Sequence, residues 1–79
     1  MLISEAMRKI QEQSGITDQY KLAKVVGISQ GTISNYLNDK TYPTLEVAAR
    51  IYKNYGLRVE PYTEWAILEE IKLQEQISR

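Results

Sequence analysis

The sequence predicts an all-α domain of about five short helices, and three observations carry that prediction. Apolar residues recur with helical period along most of the chain; glycines and prolines interrupt that period at intervals; and no polar–apolar alternation is long enough to make a strand. A chain of 79 residues allows one small domain, because a domain of that size buries only about 60–65% of its unfolded surface and cannot divide its core.

In the first segment Ile3, Ala6, Met7 and Ile10 fall at i, i+3, i+4 and i+7. That spacing lays one apolar stripe along a helix of about three turns, which Ser14-Gly15 ends because glycine accepts the left-handed backbone of a helix C-terminus. Thr17 and Asp18 are N-cap candidates for a second helix with Leu22, Ala23 and Val26 on its buried side. Gly27 breaks it after about two turns. Ser29 caps a third helix whose inward residues are Ile33, Tyr36 and Leu37. Residues 38–43, NDKTYP, lack periodicity and are rich in turn formers. Thr44 then caps a fourth helix with Leu45, Ala48, Ala49, Ile51 and Tyr52 on its apolar side. Glu46 in its first turn and Lys53 in its last complement the helix dipole. Gly56 followed by Leu57 has the form of a Schellman ending. Val59-Glu60 reads as a short extended link, and Pro61 suits the first position of a fifth helix. Trp65, Leu68 and Ile71 supply that helix's apolar positions, with Ile67 and Leu73 on an adjoining face.

Composition narrows the chemistry. The chain has no cysteine and no histidine, which removes thiolate sites, the usual zinc and haem ligands and imidazole acid–base catalysis. Glu64, Glu69 and Glu70 lie outside any nucleophile or glycine-rich context and read as a solvated helix face, so no enzyme and no cofactor are expected. No uncharged apolar run approaches the ~18 residues of a membrane span, and no signal-peptide core is present, so the expected location is the cytoplasm.

The feature that carries function is the pair of short helices flanking Gly27-Ile28-Ser29. Two helices that cross steeply need a small residue at the contact, which Ala23 provides. The turn needs a residue tolerant of positive φ, which is Gly27, and an apolar plug after it, which is Ile28. The outward face of the second helix of the pair is Gln30, Gly31, Thr32, Ser34, Asn35 and Asn38, small or amide-bearing and uncharged. That composition suits a major groove, where Gln and Asn amides pair with adenine.

Residues 19–38, QYKLAKVVGISQGTISNYLN, resemble the helix-turn-helix of the phage Cro and repressor (XRE-type) regulators. The loop with Pro43 and the following LEVAARIYKNYGL are similar to that family's next helix, so the resemblance covers roughly residues 3–57. It implies a lambda-repressor-like DNA-binding domain over residues 1–57. Residues 58–79 would form an added C-terminal helix, packed on the core or making a dimer contact. Carried over by position, it implies that Gln30 reads an adenine, while Gly31, Thr32, Ser34 and Asn35 meet neighbouring base edges. Gln19, Ser29, Asn38 and Lys40 would contact phosphates, and Tyr42 either packs on the fourth helix or touches the sugar-phosphate chain. Relatives place Gln, Ser or Arg where this chain has Gly31. With no side chain there, either direct base contacts are fewer or the backbone approaches the DNA closely.

The charge balance of ten basic against ten acidic residues gives no nucleic-acid signal as a total. By position it separates: residues 1–53 hold seven basic and five acidic side chains, and residues 54–79 hold three and five. Within residues 19–53 the balance is five to two. That separation modestly supports DNA binding, and the resemblance implies a sequence-specific transcriptional regulator, a repressor of phage or prophage type, bound to a double-stranded operator. It is expected to act as a homodimer using Trp65, Leu68 and Ile71, with no membrane and no small-molecule ligand. The alternatives are an antitoxin-type autorepressor and a protein-interaction module that keeps the fold.

Overall fold

A computed structural model describes residues 1–77 and contains five helices: α1 (Ile3–Ser14), α2 (Gln19–Val26), α3 (Gln30–Leu37), α4 (Leu45–Tyr55) and α5 (Glu64–Ile77). No strand occurs among the described residues, as the missing alternation predicts. The C-terminal range predicted as 58–79 includes two residues, 78 and 79, that lie outside the described ones.

The helix ends follow the capping residues. Asp18 accepts a hydrogen bond from the Tyr20 amide at 2.8 Å, so Asp18 rather than Thr17 caps α2. Ser29 accepts from Thr32 at 3.2 Å and Thr44 from Val47 at 3.3 Å, capping α3 and α4. Gly15 and Gly56 close α1 and α4 in the left-handed region, each amide donating to a carbonyl four residues back at 2.8 Å. α1 begins differently. Its N-cap, Leu2, has no side-chain acceptor, and the carboxylate of Asp39 from the loop after α3 supplies one instead. Asp39 accepts from the Ser4 amide at 3.1 Å and from the Ser4 hydroxyl at 2.6 Å.

The core collects the predicted stripes: Ile3, Ala6, Met7 and Ile10 of α1; Leu22, Ala23 and Val26 of α2; Ile33 and Tyr36 of α3; Ala48, Ala49 and Ile51 of α4. Val47 joins them, whereas Leu45, Tyr52 and Leu37 are only half-buried. Beyond α4, Val59 is fully buried, so the segment read as a plain link is a core component.

The start of α5 corrects the sequence expectation. Pro61 lies in a turn, and the helix begins at Glu64, where the Thr63 hydroxyl accepts from the Ala66 amide at 3.2 Å. A side-chain cap outcompetes the proline because it satisfies a first-turn donor that proline merely avoids presenting. The turn is held by the Tyr62 hydroxyl, which donates to the Pro43 carbonyl at 2.8 Å.

α5 packs against α4. Tyr52, near the end of α4, donates to Glu64 at 3.1 Å, and that bond to a carboxylate raises the Tyr52 phenol above its ordinary pKa. Gln74, near the end of α5, donates to the Glu46 carbonyl at 3.1 Å, so the two helices run antiparallel. Ile67 is the fully buried anchor of α5, while Trp65, Leu68 and Leu73 are exposed and Ile71 is half-buried. Of the residues read as that helix's apolar side, Ile67 is buried where α5 packs against α4, and Trp65 and Leu68 are not buried.

Candidate nucleic-acid interface

α2 and α3 are joined as their sequence demands. The amides of Gly27 and Ile28 both donate to the Ala23 carbonyl, at 2.9 and 3.0 Å, which turns the chain out of α2 within one residue. Gly27 has φ 81°, and a Cβ there would lie 2.5 Å from Nη1 of Arg50, whose guanidinium rests against the turn from α4. Ile28 is half-buried and packs against the core as the plug. On the inner side of α3, Ile33 is fully buried and Tyr36 nearly so. Burial pushes the Tyr36 phenol up, Tyr62 adds to the effect and the Arg50 guanidinium opposes it.

With α3 fixed on that side, its other face is open. Gln30, Gly31 and Ser34 are exposed, and Thr32 and Asn35 are half-buried. A Cβ on Gly31 would meet nothing within 4 Å. Two of the expected phosphate contacts are committed to local bonds. Ser29 Oγ accepts from the Thr32 amide and shares a hydrogen bond of 2.7 Å with the Thr32 hydroxyl. Asn38 Nδ2 donates to the Ser34 carbonyl at 2.8 Å, closing the end of α3. The Asn38 amide nitrogen keeps a second N–H, which can still donate to a phosphate, and the side-chain oxygen keeps its acceptor capacity. Gln19 is exposed at the first position of α2, and Lys40 is exposed in the loop after α3. Tyr42 is 71% exposed, so the packing of Tyr42 on α4 offered as one alternative is not made.

The electrostatics match the positional charge count. The ion pairs among the described residues are Lys53–Glu75 at 3.6 Å and Lys72–Glu69 at 3.4 Å, both at the surface. Neither involves Lys21, Lys24 or Lys40, so the charge of these three lysines faces solvent unpaired among the described residues. The Asp39 carboxylate, the acid nearest to Lys40 in sequence, is bonded to the first turn of α1, where the helix dipole offsets its charge.

Sequence reasoning missed two residues here. Arg50 was assigned no role, yet it packs on the glycine turn; its Nε is buried with no hydrogen-bond partner among the described residues. Asp39 was read only as a turn former. The signal available for it was a helix start with leucine at the cap position, a sign that an acceptor must arrive from elsewhere.

Comparison with known proteins places this arrangement. The profile of the Helix-turn-helix family matches residues 7–61. The chain is 38% identical over 55 residues to Antitoxin HipB of Escherichia coli (strain K12), an alignment covering 70% of this chain and 61% of that protein. The chain thus spans under two thirds of the length of this curated relative. No solved structure matches. The chain belongs to the helix-turn-helix family of DNA-binding regulators, of the XRE type, and the five helices of its described residues form the lambda-repressor-like fold expected for it.

Proposed function

We propose that this helix-turn-helix protein is a sequence-specific transcriptional regulator, a repressor of phage or prophage type, that places α3 in the major groove of a double-stranded operator. The observation that carries the reading is the two-sidedness of α3. Ile33 and Tyr36 lock one side into the core, while Gln30, Gly31 and Ser34 stand exposed on an uncharged face. In this reading Gln30 reads a base edge with both amide atoms, and Ser34 and the half-buried Thr32 and Asn35 contribute hydroxyl, methyl or amide contacts nearby. Gly31 lets the backbone come close. Gln19 and Lys40 are the principal phosphate contacts, with Tyr42 against sugar-phosphate and Ser29 and Asn38 acting first as caps that hold the ends of α3 in place. The reading is non-enzymatic. No helix among the described residues is long and apolar enough to cross a membrane, and we place the protein's action in the cytoplasm.

Assembly is part of the proposal. Trp65 and Leu68, exposed on α5 with Ile71 half-buried one turn on, form the contact of a two-fold dimer that presents two copies of α3 to half-sites one helical turn apart. A second reading draws on the similarity to Antitoxin HipB: an autorepressor whose surface also neutralises a toxin. Co-purification with the product of an adjacent gene would favour it. An interaction module without DNA binding is supported by no specific observation.

Fluorescence anisotropy against a labelled duplex enriched by the chain from a randomised pool tests the main reading. Selective binding that weakens with salt is expected, with Gln30→Ala costing about 1–3 kcal/mol and relaxing specificity at one base step. Because Gln30 is exposed and alanine is a good helix former, the fold is unchanged. Failure to enrich any sequence at low or physiological salt would exclude the regulator.

A further inference from the structure

We infer that Asp39 is a positioning residue for DNA binding: anchored to the first turn of α1, it fixes the loop that presents Lys40 and Tyr42 to the phosphate backbone. The inference rests on the DNA-binding reading above and adds a residue to it. Asp39 is the only described non-glycine residue with positive φ, at 54°. That conformation closes α3: the Asp39 amide donates to the Tyr36 carbonyl at 3.1 Å and the Lys40 amide to the Asn35 carbonyl at 2.9 Å. Glycine fills such a position without steric penalty; aspartate tolerates it better than most L-residues, though still at some cost. Aspartate therefore needs a reason to be there, and the side chain supplies it. Its two oxygens take the amide and the hydroxyl of Ser4, a residue 35 positions away and 3% exposed, at the end of α1 that lacks a cap of its own.

One residue thus joins two tasks. Its backbone ends α3, and its carboxylate begins α1, so the loop is held from both sides immediately before Lys40. The same bonds resolve an electrostatic conflict. A free carboxylate beside Lys40 would repel phosphate, whereas this one is engaged by two donors at the positive end of a helix.

The test uses the full chain and the labelled duplex enriched by the wild type, at several salt concentrations and well below every melting temperature. Asp39→Gly keeps the backbone conformation and removes the carboxylate; Ser4→Ala removes one of the two bonds. We expect Asp39→Gly to weaken binding about fivefold, the order of one hydrogen-bonded contact. Its log–log salt slope should flatten by about 0.9, the value for one phosphate. Ser4→Ala should move both quantities the same way by less. Lys40→Ala should cost less affinity in the Asp39→Gly background than in the wild type. A lowered melting temperature with affinity and slope unchanged would make the latch merely structural and overturn the inference. So would a gain in affinity, the outcome if Asp39 acts only as a repelling charge, and so would an equal Lys40→Ala loss in both backgrounds. A wild-type chain that enriches no duplex would instead remove the DNA reading itself, and the inference with it.

Discussion

Gly27 and Gly31 lie four residues apart, and the fold constrains only the first. Gly27 is held at φ 81° with the Arg50 guanidinium occupying the space a Cβ would need. Gly27→Ala should therefore destabilise the protein by about 2 kcal/mol or more, combining left-handed strain with displacement of Arg50. Gly31 sits in α3 with open space where its Cβ would be, so nothing inside the molecule asks for glycine there. Gly31→Ala should stabilise the fold by about 0.5–1 kcal/mol, the helix-propensity difference. It should weaken DNA binding by roughly tenfold if the backbone at this point approaches the base edges. Thermal melts and anisotropy on the same two variants check both signs. A Gly31→Ala protein that is more stable and binds equally well would show that the groove does not approach the chain at this position.

At the scale of elements, α5 owes its place to one side chain more than to its amphipathicity. Ile67 is fully buried, whereas the bonds that Tyr52, Gln74 and Lys53 make with this helix or its residues lie at the surface and contribute modestly. Ile67→Ala should lower unfolding stability by about 2–4 kcal/mol in urea denaturation, through lost burial and the cavity left behind. α1 to α4 were legible in the sequence because local signals agree there: a cap residue or glycine stands at nearly every boundary, and the apolar stripe between has helical period. The start of α5 was misread because two local rules compete there, Pro61 at a first helical position against Thr63 at a cap, and only the side-chain bond to Ala66 decides it. The outward face of α3 was legible for the same reason as the helices, since Ile33 and Tyr36 mark the inward side. Neither Asp39 with Ser4 nor Arg50 with Gly27 was legible. These pairs are 35 and 23 positions apart, and contacts between distant residues leave no periodic mark on the chain.

For the whole molecule, the largest extent is 32 Å, while successive half-sites on one side of a duplex are about 34 Å apart. One copy presents one α3, so reading two half-sites requires two copies. The acidic C-terminal part and the basic motif region make one arrangement favourable, with the motif against DNA and α5 turned away from it. Trp65→Ala is expected to shift the protein from dimer to monomer in analytical ultracentrifugation, leaving unfolding stability within about 0.5 kcal/mol because the ring makes few contacts within its own chain. A variant that sediments as the wild type does would place the dimer contact elsewhere or exclude it. The same exposed ring has an optical consequence. Trp65 is the chain's one tryptophan, and at 73% exposure its emission in an isolated folded copy is already that of a solvated indole. Heating such a copy through its unfolding transition would leave the emission wavelength nearly still while the far-ultraviolet dichroism collapses. Whatever covers α5 would move the emission to the blue, so intrinsic fluorescence in this protein reports company rather than folding.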